Sequence, residues 1–227
     1  MKPTLVINAG GESQRMGQSK ALLPVPPDGR PLIAYIAQRL QSLSPQGIVV
    51  VANDPEIVAR ARLPGVVDFI PDRYPGLGPL GGIATALHAC KGWAILVACD
   101  MPFVNPALFE MLSMIAIAGS TIDKSEKSSG ESSGNREERC ADEEWDAVVP
   151  YVDGYAQTLH ALYHRRCLPA IETRLAAKEL KVTSFFRGVR VRQVTEAEIA
   201  SIDPTFRSFI NTNTPDDWEQ ALAMIKS

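Results

Sequence analysis

The chain has 227 residues, of which 45% are hydrophobic and 22% are charged, as in an ordinary soluble globular protein with one good core. The net charge of −3 gives no electrostatic reason to expect nucleic acid or an anionic membrane surface as a partner. No apolar run approaches the length of a membrane span, and the amino terminus lacks the pattern of a secretory signal. We therefore expect a cytoplasmic protein.

Strand-like and helix-like segments alternate along the chain. Apolar patterns predict strands at 5–8, 48–52, 66–70, 93–99, 145–151 and 189–194. They predict helices at 31–43, 82–90, 106–118 and 215–225, with a short helix after Asp54-Pro55. Because the strands are apolar throughout, we expect an α/β fold, a three-layer, Rossmann-like, mainly parallel sheet with helices on both faces. Ligands of such folds bind beyond the carboxyl ends of the strands.

One segment, residues 119–144, has a different composition from the rest of the chain. It is rich in Ser, Glu, Lys and Gly and has almost no apolar residues. So polar a segment cannot bury enough surface to offset the entropy lost on ordering. We therefore expect a disordered insertion within a single domain that spans residues 1–227.

The most informative segment is residues 5–25, where an apolar strand runs into a glycine-rich loop. Gly10 and Gly11 follow the strand, and Arg15 and Lys20 come in the next turn. Glycines allow backbone N–H groups to approach an anion closely, and the two cations supply charge, so the segment predicts a nucleotide phosphate site. Its spacing matches neither a Walker A loop nor the dinucleotide fingerprint, which argues against an NAD-type oxidoreductase.

Three further polar residues, Asn53, Asp72 and Asp100, each follow a predicted strand. A carboxylate at the position of Asp100 points into the ligand crevice, and one such group suffices for Mg²⁺ that also binds water and phosphate oxygens. Asp72 leads into a Pro/Gly-dense turn that directs N–H groups toward an anion or a base edge. The amide of Asn53 can both donate to and accept from a base. Taken singly, each residue also fits a role in a turn or cap.

The glycine-rich segment resembles the signature of nucleotidyltransferases that attach a nucleoside monophosphate to a phosphorylated acceptor. The signature reads Ala-Gly-Gly-x-Ser-x-Arg-Met-Gly-x-x-Lys, and the chain matches it at Ala9, Gly10, Gly11, Ser13, Arg15, Met16, Gly17 and Lys20. The likeness continues at Asp72 and through residues 78–82, 99–102, 157–166 and 209–215. Outside 119–144 the chain is similar to the molybdenum cofactor guanylyltransferases. Residues 159–163 and 211–215 favour that branch over related cytidylyltransferases and sugar-phosphate nucleotidyltransferases.

The resemblance implies a nucleotide-diphospho-sugar transferase-like fold and an enzyme that joins GMP from GTP to Mo-molybdopterin. It implies that GTP is held by Asn8, Ala9, Gly10, Gly11, Lys20, Asn53, Asp72 and Asp100, with Mg²⁺ on Asp100. We assign catalysis to Arg15, Lys20 and Asp100. The candidates for binding the acceptor are Asn211, Asn213 and Tyr163, and Tyr163 fits a packed core aromatic equally well.

Two positions depart from the family pattern. Asn8 stands where the family usually has Leu, and an extra amide near the base could alter nucleotide selectivity. Thr158 stands where the family usually has Pro. Two other functions fit the same residues: a cytidylyltransferase or a nucleotidyltransferase for another phosphorylated acceptor, and a nucleotide-binding regulator without turnover. We expect a monomer.

Overall fold

The computed structural model describes residues 3–10, 19–43, 47–65, 67–118 and 144–226. Gly11 and Arg15 of the glycine-rich loop lie outside these ranges, and so does almost all of the expected insertion at 119–144. What the sequence predicts for those residues therefore remains a prediction.

A mainly parallel sheet lies at the centre of the fold. The strands of the described residues are β1 Thr4–Asn8, β2 Pro24–Val25, β3 Arg30–Pro31, β4 Ile48–Val51, β5 Val67–Ile70, β6 Trp93–Ala98, β7 Ala147–Val152, β8 Tyr155–Ala156, β9 His160–His164 and β10 Val191–Val194. The sheet order is β10-β7-β9-β6-β1-β4-β5, with β8 paired to β7. In this sheet β9 pairs antiparallel with β6 and β7, and β8 pairs antiparallel with β7, while the other pairings are parallel. Strands β2 and β3 form a separate antiparallel hairpin.

Helices cover both faces of the sheet, which confirms the expected three-layer α/β fold. The helices are α1 Leu32–Leu40, α2 Pro55–Arg60, α3 Gly78–Ala89, α4 Pro106–Ala118, α5 Leu168–Ala176, α6 Glu196–Ala200 and α7 Pro215–Lys226. On one face, α3 and α5 bury Ile83 and Ile171. On the other, α1, α4 and α7 bury Ile33, Phe109 and Trp218. Within the described ranges, no helix has both the length and the apolar character needed to cross a bilayer.

Local capping explains where two of the helices begin. The carboxylate of Asp54 accepts a hydrogen bond from Glu56 N at 2.9 Å, with Pro55 at the first helical position of α2. At α7, Thr214 Oγ1 accepts from Asp217 N at 3.1 Å. Both starts agree with the positions that the sequence predicts.

Helix α3 begins at Gly78, four residues before the predicted start. Glycines 81 and 82 suggest a turn in the sequence, but here they permit close packing. A Cβ at position 81 would lie 2.8 Å from the carbonyl oxygen of Tyr74, so only glycine fits at this distance. Pro79 is compatible with the first helical turn, because that turn needs no N–H partner at this position.

Strand β9 is absent from the sequence-based prediction. Its residue His160 interrupts the apolar pattern, yet His160 is fully buried and lies against the rings of Phe109 and Phe209. Burial lowers the pKa of His160 to about 3, so the ring is neutral at physiological pH. A neutral histidine can therefore take a place in the core, although a polar residue in the sequence suggests that the apolar strand pattern is broken there.

Candidate functional site

The carboxyl ends of β1, β4 and β6 meet at one edge of the sheet. In the parallel registers, Asn8 is level with Val51 of β4 and with Ala98 of β6. Backbone hydrogen bonds extend the pairing past the strands, from Ala9 N to Val51 O at 2.9 Å and from Cys99 N to Asn8 O at 3.1 Å. The start of the glycine-rich loop therefore lies between the residues that follow β4 and β6.

An ion pair between Lys20 and Asp100 forms the charged centre of this edge. Lys20 Nζ lies 3.6 Å from Asp100 Oδ2 and donates to Asn213 Oδ1 at 2.8 Å. Thr212 donates from its backbone N at 2.9 Å and from Oγ1 at 3.0 Å to the carbonyl oxygen of Asp100. Residues from three distant parts of the chain therefore hold this centre together.

The electrostatic surroundings of Asp100 leave its negative charge only partly compensated. Burial raises the pKa of the Asp100 carboxyl above its ordinary value, and the opposing effect of Lys20 is smaller. The side chain nevertheless keeps 24% of its surface exposed. A carboxylate in this environment favours an additional cation or hydrogen-bond donor from a ligand.

A second polar group lies at the ends of β4 and β5. Asp72 N donates to Asn53 Oδ1 at 2.8 Å. Asp72 Oδ1 accepts from Thr85 Oγ1 at 2.7 Å and from Tyr74 N at 3.0 Å. Thr85, which is 1% exposed, also accepts from Arg73 N at 3.0 Å. Thr85 thus orients Asp72, and the sequence analysis missed it because a threonine inside a helical segment carries no signal of a site.

The side chain of Asn8 lies between the glycine-rich loop and α3. It is 6% exposed, and its Oδ1 accepts a hydrogen bond from Gly10 N at 3.1 Å. A Cβ on Gly82 would lie only 2.5 Å from Asn8 Nδ2, so the helix approaches this closely because residue 82 is glycine. The side chain of Asn8 therefore hydrogen-bonds to the start of the loop at Gly10 and packs against α3 at Gly82.

The acceptor candidates separate into two groups. Asn213 bonds to Lys20 at the charged centre, and Asn211 lies two residues away with its side chain exposed. Tyr163, in contrast, is fully buried in the core beneath α3 and α5, and its hydroxyl donates to the carbonyl oxygen of Thr158 at 2.9 Å. Because a ring packed this way cannot contact a ligand, the core interpretation of Tyr163 is correct and its acceptor role is withdrawn.

Comparison with known sequences identifies relatives over the whole chain. The sequence profile of the MobA-like NTP transferase domain matches residues 5–194. The chain is 32% identical to the probable molybdenum cofactor guanylyltransferase of Pelotomaculum thermopropionicum, over 100% of this chain and 95% of that protein. It is 31% identical to the probable molybdenum cofactor guanylyltransferase of Bacillus subtilis, over 96% and 94% of the two chains.

Solved structures share the fold at lower sequence identity. Molybdopterin-guanine dinucleotide biosynthesis protein A from Archaeoglobus fulgidus superposes with a TM-score of 0.74 at 24% identity, covering 98% of each chain. The 2-C-methyl-D-erythritol 4-phosphate cytidylyltransferase from Thermus thermophilus superposes with a TM-score of 0.60 at 16% identity, covering 100% of each chain. These likenesses confirm the expected nucleotidyltransferase-like fold.

Proposed function

The chain belongs to the MobA-like NTP transferase family, and we propose that it transfers GMP from GTP to the terminal phosphate of Mo-molybdopterin. The observation that carries the proposal is the convergence of Lys20, Asp100 and Asn213 at the carboxyl edge, where β1 runs into the start of the glycine-rich loop. Phosphates need positive charge and hydrogen-bond donors, and this edge supplies both. The names of the relatives in Pelotomaculum and Bacillus support GTP and Mo-molybdopterin as the substrates.

In the proposed reaction, an oxygen of the acceptor's terminal phosphate attacks the α-phosphorus of GTP in line with the leaving group. A new P–O bond forms, the bond from the α-phosphorus to the oxygen bridging it to the β-phosphorus breaks, and pyrophosphate leaves with that oxygen. A phosphate monoester is already anionic near neutral pH, so the attack needs no general base. The protein contributes positioning and charge neutralisation, for which we propose Lys20 and Arg15.

We propose that Asp100 also holds Mg²⁺. Among the described residues, no group of three or more His, Cys, Asp or Glu side chains could form a metal site of protein ligands alone. Mg²⁺ commonly uses one or two carboxylates and completes its shell with water and substrate phosphates, so the single, undercompensated carboxylate of Asp100 fits this ion. When bound, the ion supplies Lewis-acid stabilisation of charge on the phosphates.

We propose that the nucleoside lies on the other side of the loop, toward β4 and β5. The backbone of Asn8, Ala9 and Gly10 approaches from β1, while Asn53 and Asp72 offer an amide and a carboxylate that suit the polar edge of a base or the hydroxyl groups of a ribose. The hydrogen bond that the backbone N–H of Asp72 donates to Asn53 Oδ1 supports a single, preorganised arrangement of these two residues.

Replacing Thr85 by valine tests the role of the second polar group. The loss of a buried hydrogen bond to Asp72 costs about 1–3 kcal/mol, and we expect GTP to bind about tenfold more weakly. Turnover at saturating GTP should fall much less, since Thr85 does not contact the charged centre. Titration calorimetry and steady-state kinetics measure the two effects. The matched control, Thr85→Ser, keeps the hydroxyl and should retain wild-type GTP affinity, and equal losses in both variants would contradict the proposed role.

The experiment that tests the function compares GTP, CTP, ATP and UTP in the presence of Mg²⁺. We expect preferential binding of GTP, and release of pyrophosphate once Mo-molybdopterin is added. A preference for CTP would instead indicate a cytidylyltransferase. Tight GTP binding without pyrophosphate release, under conditions that keep the acceptor intact, would indicate a nucleotide-binding regulator.

A cytoplasmic location, a monomeric state and the absence of a nucleic-acid partner remain predictions.

A further inference from the structure

The exposed aromatic ring of Tyr155 lies at the tip of the β7–β8 hairpin. With 75% of its surface exposed, it is the most exposed of the large hydrophobic side chains that the structure describes. A large aromatic ring usually stabilises a fold by being buried, and the exposed ring of Tyr155 makes little contribution of this kind. Its position in the sheet suggests what covers it.

The strand pairing places Tyr155 beside the end of β6. Both β8 and β9 pair antiparallel with β7, so β8 continues the line of β9, and β9 is the neighbour of β6. In β9, Leu162 pairs with Val148 of β7 on one side and with Ile95 of β6 on the other, so Val148 and Ile95 are level. Tyr155 pairs with Val152, which lies four residues after Val148 along β7. Because β6 runs parallel to β7, the residue of β6 at the same level lies four residues after Ile95, and this residue is Cys99. Tyr155 therefore lies at the height of the residue that precedes Asp100.

The hairpin holds this ring on a well-defined backbone. Asp153 and Gly154 both have positive φ angles, of 51° and 76°, the conformation of a tight two-residue hairpin turn. Asp153 N donates to Glu196 Oε1 at 2.6 Å, which ties the turn to α6. Past the tip, Gln157 N donates to Pro150 O at 2.8 Å. The ring is thus presented at the carboxyl edge by a backbone that is hydrogen-bonded on both sides of the tip.

Tyr155 and the proposed nucleoside residues lie on opposite sides of the charged centre. In the sheet order, β7 and β8 precede β6, whereas Asn53 and Asp72 follow β4 and β5 beyond β1. A nucleotide that reaches from Lys20 and Asp100 toward β4 leaves the β8 side open to the other substrate. The attacking phosphate must approach the α-phosphorus opposite the leaving group, and the rest of the acceptor can then extend toward Tyr155.

We propose that the ring of Tyr155 stacks on the planar heterocycle of the phosphorylated acceptor and so contributes to acceptor specificity. This inference rests on the proposed function, in which the acceptor carries a pterin. A phenol ring suits a flat, polar heterocycle because stacking needs only the two ring faces and leaves the heterocycle's edge free for hydrogen bonds. A phosphorylated acceptor without an aromatic ring gains nothing from Tyr155.

The test compares Tyr155→Ala with Tyr155→Phe, which retains the stacking face. A matched control, Met114→Ala, removes a side chain that is 65% exposed on α4, outside the β7–β8 hairpin. For Tyr155→Ala we expect the KM for Mo-molybdopterin to rise about tenfold with the KM for GTP unchanged, and Tyr155→Phe to match the wild type. Met114→Ala should leave both values unchanged.

A second measurement does not depend on turnover. The intrinsic fluorescence of 6-hydroxymethylpterin reports its binding to the wild-type protein, which Tyr155→Ala should weaken about tenfold. Unchanged pterin affinity, equal increases in both KM values, or the same loss in Tyr155→Phe would overturn the stacking role. If wild-type protein released no pyrophosphate from GTP and Mo-molybdopterin, the proposed function would fail, while the pterin titration would still decide whether Tyr155 forms a pterin site.

Discussion

Replacing Asp100 by asparagine is expected to lower the rate of pyrophosphate release by about a hundredfold or more. The substitution preserves the size of the side chain and removes its charge, and the loss of one central electrostatic group commonly has an effect of this size. The backbone carbonyl that Thr212 holds is unchanged, so the local fold should persist. The measurement is kcat with GTP and Mo-molybdopterin at saturating Mg²⁺.

Thermal unfolding provides the control for Asp100→Asn. The pKa of Asp100 in the folded state is raised above its ordinary value of 3.8, so the fold favours the protonated carboxyl. The contribution of this protonated group to the free energy of unfolding is fully present below pH 3.8 and is lost as the pH rises through the folded-state pKa. Asparagine does not titrate, so we expect the variant to have an equal or higher Tm at pH 7. Turnover near the wild-type rate in this folded variant would contradict the role of Asp100.

Replacing Lys20 by methionine is expected to produce a loss of similar size, about a hundredfold in kcat. Lys20 lies 3.6 Å from Asp100 and also donates to Asn213, and in the proposed reaction its ammonium stabilises the charge that develops on the transferred phosphate. Methionine keeps a chain of similar length without the charge. The affinity for GTP should also fall, because the phosphates are charged in the ground state as well.

The matched variant Lys20→Arg separates charge from shape. Arginine restores the cation but not the geometry of a single ammonium, so we expect partial recovery of turnover. The double variant Lys20→Met, Asp100→Asn should be less impaired than the product of the two single losses, since the residues act as a unit. Fully multiplicative losses would contradict a shared role at the charged centre.

The parallel strands of the sheet and the edge that carries the candidate site could be predicted from sequence because each rests on a local pattern. The apolar runs that form β1, β4 and β6 end at Asn8, Val51 and Ala98. Parallel pairing then necessarily brings their carboxyl ends together. The polar residues that follow them, among them Asp100, therefore meet at one edge.

The parts that escaped prediction depend on contacts between distant residues. Thr85 contacts the candidate site only because α3 brings it to 2.7 Å from Asp72, and no local pattern encodes that distance. The burial of Tyr163 follows from the pairing of β9, which His160 disguises in the sequence. Gly81 suggests a turn in the sequence, but it lies inside α3, where the lack of a side chain lets the helix approach Tyr74 closely.

The hydrogen bonds from Thr212 to the carbonyl of Asp100 also bear on the order in which the protein is made. Synthesis proceeds from the amino terminus, and β10, which is the last strand among the residues that the structure describes, is available once residue 194 has emerged. The central sheet can thus form while the charged centre still lacks Thr212 and Asn213. The ribosome must add residues 195–213 after the last residue of β10 before Lys20 and Asp100 gain these partners, so the sheet of a nascent chain can form before its charged centre is complete.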